Sequence, residues 1–557
     1  MKQRSRQPDA AVADAGLEAE GKARALIAAA GGSHVEVAAR CAGDDGPFAA
    51  LSRPLADAEG YLEPSVPPCL RGQAGALHRA VETAVARASV TGRVHYVSLR
   101  IAVADCDPLA LFAGEPGPDR FFWQQPNGGF ALAAVGCVKA LDVDPRVRFT
   151  SASAAAQAML GDVVTCGHAA RLLPAPLLVG GFSFAAGHRA VGDWAAFPGA
   201  CLFLPEILLV CRAGEACLTV NAPIAPGLAL RTAWSAVLAG ATAAHARVER
   251  LRGLAVIEGG TGALVRALVP AGGCEAPPSA QDQYRRRIEA ALGAIAAGAL
   301  EKVVLARSLR MLQPGNFDVP SIMHRLRTAY PDCVSLAVGR GADCFVAASP
   351  ERLVSFDGEL VETEALAGTA PRGVTAEDDG QLGRALLENP KERAEHAAVV
   401  RAIRAALADV CTALEGPVVP QLLRLAGIQH LYTPLRGRLR QAAGAVAPTI
   451  LDLVGRLHPT PAVGGLPREA ALAWICQGEE LERGWYAGPV GYMDCRGGGE
   501  FRVALRSALL RNPPREGAPG VASLFAGAGV VAGSLPEREW HETSLKLRAL
   551  LTPLTEL

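Results

Sequence analysis

The spacing of apolar residues changes several times along this chain, and each change marks an element. "RVHYVSLRIAV" (93–103), "GFALAAVGCVKAL" (129–141), "PLLVGGFSF" (176–184) and "ACLFLPEILLVCRAGEACLTVNA" (200–222) are rich in β-branched and aromatic residues and broken by glycine, which predicts strands. "RTAWSAVLAGATAAHARVERLRG" (231–253) shifts to helical spacing, and the breaker-rich "VPAGGCEAPPSAQDQ" (269–283) predicts a linker. Beyond it Tyr284, Ile288, Leu292 and Ile295 recur as one helix face, with Ser279 and Asp282 as its cap and Gly298 as its stop. "LEKVVLARSLRM" (300–311) reads as a strand. "CVSLAVGRGADCFVAASPERLVSFDGELVETEAL" (333–366) reads as antiparallel strands turning at Asp357-Gly358. Helices are expected at about 391–413 and 536–551. Hairpin-like runs of this kind predict an α+β fold with large, mostly antiparallel sheets and helices packed outside. Residues 1–90 form a poorly defined N-terminal extension, 91–270 a strand-rich half, and 275–555 the region of sharpest pattern.

Composition narrows the class. Of 557 residues half are hydrophobic, enough for a sizeable core. Lysine plus arginine and aspartate plus glutamate balance at 55 each, without basic blocks, so there is no electrostatic footprint for nucleic acid. The 14 cysteines show no C-x-x-C pair and read as reduced thiols of a cytoplasmic protein. The first residues lack the apolar stretch of a secretory signal. "WAAFPGACLFLPEILLVC" carries Pro198, Pro205 and Glu206, and reads as buried strands rather than a membrane span.

Two stretches place like charges together. In "ENPKERAEH" Glu392 and Glu395 fall on the stripe of Val399, Ile403, Leu407 and Val410, while Lys391, Arg393, Arg401, Arg404 and Asp409 take the other side. In "PEREWHETSLKL" Glu539 and Glu542 align with Lys546 and Leu550. Exposed like-charge neighbours on a helix cost only about 0.2–0.5 kcal/mol. Burying unpaired carboxylates costs several kcal/mol each. One such pair alone reads as an ordinary solvated face; two pairs on inward stripes point to an offsetting cation, and oxygen-only ligands suit Mg²⁺. Lys302 opens an apolar strand, where a lysine is ordinarily an exposed gatekeeper; desolvated in a pocket it can serve as a base. Glu351 in "SPERL" follows a strand, and beside apolar walls such a carboxyl can keep its proton and act as an acid. "AGAG" (526–529) offers N–H groups to a carboxylate or phosphate, a weak signal alone.

The motifs "KVVLAR", "SPERL", "ALAGTAPRG", "NPKERAEH", "IQHLYT", "LHPTPAVGGLPREAAL", "RGWYAGPVGYMD", "FRVALRSALL" and "AGAGVVAGSLPEREWHET" run in unbroken order over 280–550. With them the chain resembles chorismate-utilising enzymes of the isochorismate synthase type. The resemblance implies the anthranilate synthase component I-like fold, a chorismate-binding catalytic region at 275–555, and Mg²⁺-dependent isomerisation of chorismate to isochorismate. Lys302 would be the base activating water for attack at C2, and Glu351 the acid protonating the departing C4 hydroxyl. Glu395 and Glu542 would hold Mg²⁺ directly, with Glu392 and Glu539 supporting its waters. Gly368, Thr369 and His430 would line the substrate site, and Tyr486, Arg506, Gly527, Gly529 and Lys546 would grip the carboxylates. Relatives that add ammonia lack a lysine at the position of Lys302, so no glutamine amidotransferase subunit is expected. The aminodeoxychorismate type carries a lysine where this chain has Ala367. Salicylate synthases share Lys302 and Glu351 and remain the alternative; a non-catalytic chorismate-binding sensor ranks behind. The sequence leaves open whether isochorismate would feed menaquinone, a siderophore or salicylate, and it does not fix the oligomeric state.

Overall fold

A computed structural model describes residues 66–114, 117–168, 172–252, 279–440, 447–513 and 517–555. Its strands form one continuous system with two arms. The first arm runs, neighbour to neighbour, through Val163–Gly167, His95–Val103, Glu215–Ile224, Ala200–Arg212, Phe130–Ala140, Asp119–Gln124, Val334–Arg340, Asp343–Ser349, Ser507–Arg511, Pro519–Val531, Lys302–Pro314 and Gly465–Leu466. The second runs through Leu177–Phe182, Pro489–Asp494, Gly499–Val503, Arg352–Phe356, Leu360–Pro371 and Ile428–Leu439. They join at Ala200–Arg212, whose first residues pair with Leu177–Phe182. Among the described strand pairings only Val163–Gly167 with His95–Val103 is parallel.

Alternation along the strands sorts side chains between two cores. Phe121 and Trp123 face the core shared by the arms, while Phe122 faces the other side. Across the shared core Trp123 meets Tyr492 edge-on at 5.7 Å, and Phe345 meets Trp485 at 6.3 Å. The opposite face of the first arm is covered by helices Ala74–Thr91, Leu230–Leu251, Val319–Ala329 and Pro536–Thr555, through residues such as Val81, Val237, Met323 and Leu550. Helices Pro390–Leu407 and Ile450–Leu457 lie on the second arm.

Most expected elements stand where the pattern put them. The Asp357-Gly358 turn is present, with Asp357 Oδ1 accepting the N–H groups of Glu359 and Leu360, and Gly358 at φ +104°. Ser279 Oγ accepts the Asp282 N–H and opens helix Ala280–Ala296, so the predicted linker ends at its cap. Its residues 269–278 lie outside the described residues, as do 1–65. Three boundaries differ. Helix Ala74–Thr91, inside the stretch read as a poorly defined extension, buries Leu77, Val81 and Ala84 against the first arm; its mostly alanine face gave little contrast to read. Helix Pro390–Leu407 stops short of 413, because Cys411–Glu415 leaves it as a strand beside Ile428–Leu439, and Val410 packs on the same core from beyond the helix end. The C-terminal helix continues to Thr555. Strands of the two halves also pair directly, Asp119–Gln124 with Val334–Arg340 and Leu177–Phe182 with Pro489–Asp494. Among the described residues no helix is long and apolar enough to cross a membrane, and "ACLFLPEILLVC" is a buried strand.

Candidate active site

The chain crosses between the arms twice side by side, and a cavity opens there. Glu351 sits between strand Asp343–Ser349 of the first arm and Arg352–Phe356 of the second. Arg506 sits between Gly499–Val503 and Ser507–Arg511 on the way back. Hydrogen bonds lace the crossings together: the Val503 N–H donates to Glu351 O (3.1 Å), the Ala348 N–H to Arg506 O (3.1 Å), and Ser349 Oγ to Val503 O (2.6 Å).

Glu351 is 2% exposed. Burial is the main cause that lifts its carboxyl to about 8, and the neighbouring Glu364 adds to it; Lys302, Lys546 and Arg502 pull the other way without winning. Arg506 is buried in the left-handed region, at φ +48°. Its Nη1 donates to Cys333 Sγ at 3.4 Å, while Nη2 is buried without a hydrogen-bond partner. A buried guanidinium with a spare N–H lining a cavity is suited to an anion. Tyr486 stacks on Phe525 at 5.4 Å, and burial raises its phenol well above the usual range.

Helix Pro390–Leu407 begins at the cavity. Asn389 caps it by accepting the Lys391 and Glu392 N–H groups, and Pro390 occupies the first turn. That fixes Glu392 and Glu395 toward the cavity. Opposite them the first turns of helix Pro536–Thr555 present Glu539 and Glu542. Burial raises the Glu539 carboxyl to about 7, with the Glu542 charge adding, and burial plus Glu395 raises Glu392. Lysines answer the acids: Lys302 Nζ lies 2.7 Å from Glu395 Oε1, Lys546 Nζ 2.6 Å from Glu542 Oε1, and Lys391 Nζ 3.7 Å from Glu392 and 3.5 Å from Glu539.

His430 Nδ1 lies 3.3 Å from Gly368 O and 3.1 Å from Thr369 Oγ1. A carbonyl only accepts, so Nδ1 carries the hydrogen. Burial, then Arg506 and Lys546, hold this imidazole well below its ordinary value, hence neutral. The glycines make room. A Cβ on Gly529 would come within 2.8 Å of Glu395 Oε1, one on Gly527 within 2.9 Å of Tyr486 Oη, and one on Gly368 within 3.2 Å of Glu392 Oε2. Of the "AGAG" run it is a carbonyl that a side chain uses, since Lys546 Nζ donates to Gly527 O at 3.0 Å.

Thirteen of the fourteen residues singled out from sequence line this one cavity: Glu351, Gly368, Thr369, Glu392, Glu395, His430, Tyr486, Arg506, Gly527, Gly529, Glu539, Glu542 and Lys546. Lys302 is the exception. It is buried behind Glu395, whose oxygen holds it. Lys391 was placed on the outer side of its helix and instead lines the cavity; its flexible stem carries the ammonium back from the first turn. Pattern reading also passed over the apolar walls Val304, Leu366 and Leu505, which carry no chemical signal of their own.

The four glutamates supply oxygen donors alone, a set that fits a hard cation such as Mg²⁺, and the burial and like-charge crowding that raise Glu392 and Glu539 are what such a cation offsets. Among the described residues no three His, Cys, Asp or Glu side chains stand in a metal-holding arrangement as they are. Glu395 and Glu542 are engaged by lysines.

A family model described as "Chorismate binding enzyme" matches residues 83–555. The chain is 38% identical over 493 residues to the "Salicylate biosynthesis isochorismate synthase" of Pseudomonas aeruginosa, covering 86% of this chain and 95% of that protein. Its structure is similar to that of MenF, the menaquinone-specific isochorismate synthase of Escherichia coli, with TM-score 0.63, 26% identity, and 86% and 99% of the two chains covered. Anthranilate synthase component I of Streptococcus pneumoniae shares the fold, with TM-score 0.58, 21% identity, and 76% and 92% covered.

Proposed function

Since the chain belongs to the chorismate binding enzyme family, we propose that it is an isochorismate synthase, a hydroxymutase that takes chorismate reversibly to isochorismate in the cavity between the arms. The observation that carries the mechanism is a buried acid lining the cavity, Glu351, whose carboxyl is lifted to about 8 chiefly by burial, with the buried lysine Lys302 held just behind Glu395. Water adds at C2 as Lys302 takes its proton; the ring double bonds shift, the C4–O bond breaks, and Glu351 delivers its proton to the departing hydroxyl, which leaves as water. Arg506, with its spare N–H, and Lys546 hold the substrate carboxylates, and Tyr486 and neutral His430 bound the ring. In this reading Glu395 and Glu542 would hold Mg²⁺ directly, Glu392 and Glu539 would support its waters, and the ion, when bound, would supply positive charge for a substrate carboxylate. The Glu395–Lys302 contact must open for Lys302 Nζ to reach water in the cavity. Glu395 therefore has two claimants.

The test is purified protein with chorismate, with and without Mg²⁺, products resolved by chromatography. Isochorismate without ammonia or glutamine is expected; salicylate and pyruvate as the sole products would overturn the reading. Because Lys302 competes for Glu395, Lys302→Ala should cut turnover by about 10²–10⁴-fold yet bind Mg²⁺ more tightly by calorimetry.

A further inference from the structure

The Glu351 acid is followed directly by a buried charge network on the second arm. Glu364, on strand Leu360–Pro371, is 9% exposed. Its Oε1 accepts the N–H of Arg352, which belongs to the Glu351–Arg352 peptide. Its Oε2 accepts the Tyr432 hydroxyl at 3.3 Å. The nearby cations are mainly committed elsewhere. Arg502 Nη2 lies 2.6 Å from Glu500 Oε1, while its Nη1 is 3.5 Å from Glu364. Arg352 Nη1 goes to Glu362 at 3.0 Å, and Arg436 pairs with Glu362 as well. Glu500 is further satisfied by Gln125 Nε2 at 2.8 Å. Glu364 is thus the least compensated carboxylate of the network, and it is the one tied to the acid's own backbone.

We infer that Glu364 is a positioning residue for the acid: it fixes the Glu351–Arg352 peptide, and so the direction of the Glu351 side chain, and it sets a fixed negative charge beside the Glu351 carboxyl. A like charge disfavours ionisation of its neighbour, and Glu364 follows burial among the causes that lift Glu351. The other charged groups bearing on Glu351 come from three further elements, Lys302 from its strand, Lys546 from the C-terminal helix and Arg502 from Gly499–Val503, and all three act in the opposite sense. Without Glu364 burial still raises the Glu351 carboxyl, but by less, and the ionised form, which has no proton to give, sets in at lower pH.

This inference rests on reading Glu351 as the acid, so its test separates the two. Glu364→Gln keeps an oxygen for the Arg352 N–H and removes the charge. The Glu351 carboxyl is followed by carbon NMR of glutamate-labelled protein, assigned by the signal lost in Glu351→Gln, alongside kcat against pH. In Glu364→Gln both the Glu351 titration and the high-pH limb of kcat should move down by about one pH unit or more, with KM for chorismate little changed. Tyr432→Phe removes a donor from Glu364, leaves its charge less satisfied, and should move both upward; it keeps the test in force if the Gln variant does not fold. An unmoved Glu351 titration in the variants overturns the inference. A titration that moves while kcat ignores it upholds the inference and overturns Glu351 as the acid.

Discussion

Replacing Glu351 by Gln keeps the shape of the side chain and removes its transferable proton. Turnover should fall by about 10²–10⁴-fold while calorimetry still finds chorismate bound, because Arg506 and Lys546 are untouched. In the wild-type protein the acid form is present below about 8 and lost above it, so kcat should decline as pH rises through that value; a flat profile from pH 7 to 9 would remove Glu351 from the role. At this scale the sequence was informative about identity and poor about partnership. Lys302 and Glu351 stood out by sitting where apolar strands begin and end. That Lys302 would be held by Glu395 was not legible, since the two are brought together only by the approach of a strand end and a helix start. Lys391 was misplaced for a related reason: a helical wheel reports where a Cα points, and a long stem at the first turn is free to reach back.

Helices carry the acids, and their energetics are those of burial first and crowding second. The Glu539 carboxyl stands at about 7 in the folded protein against 4.5 ordinarily. A folded value above the unfolded one means the fold holds the proton more tightly, so the stability present below about 4.5 is lost as pH rises toward 7. In metal-free protein Glu539→Gln should escape that loss. It should melt higher than wild type at pH 8, by a few kcal/mol at most at about 1.4 kcal/mol per pH unit, with the gap closing near pH 4.5. Equal melting at pH 8 would mean that burial and the neighbouring Glu542 do not penalise the Glu539 charge. Gly529→Ala tests the strand facing them. Its Cβ would press on Glu395 Oε1 and Lys302 Cε, so turnover should drop at least tenfold while circular dichroism stays native, the clash being with side-chain ends rather than backbone. The inward stripe of Glu392 and Glu395 was readable because Val399, Ile403 and Leu407 continue it into the core. Where the helix stops was not, because Val410 keeps the helical spacing after the chain has turned away.

For the molecule as a whole, the arms are held together by aromatic contacts in the shared core. Trp123→Ala should cost about 3–5 kcal/mol, read as a lower denaturant midpoint. Chorismate KM should stay close to wild type, since Trp123 lines no part of the cavity. A large KM change without loss of stability would show that the arms communicate with the site in some other way. Strand Asp119–Gln124 was not among the segments the pattern picked out, and Phe121, Phe122 and Trp123 divide between opposite faces only once its neighbours are in place. The order of the strands was beyond reading, because pairings such as Asp119–Gln124 with Val334–Arg340 join segments about two hundred residues apart and leave no local mark. The early helix Ala74–Thr91 gave only a weak, alanine-rich helical signal, because its small side chains pack closely without a strong period.

The laced crossings have a mechanical consequence. Glu351 and Arg506 belong to one hydrogen-bonded unit tied into both arms, so their separation is set by the sheet. The carboxylates opposite ride on the first turns of two helices, where intrahelical hydrogen bonding is incomplete. One wall of the cavity is therefore stiff and the other compliant. Any widening that admits substrate has to come from the helix side, leaving acid and anchor in register throughout the cycle. Hydrogen exchange should record this as slow amides at 351–352 and 503–507 and faster ones at 391–393 and 537–539, with chorismate slowing only the second pair.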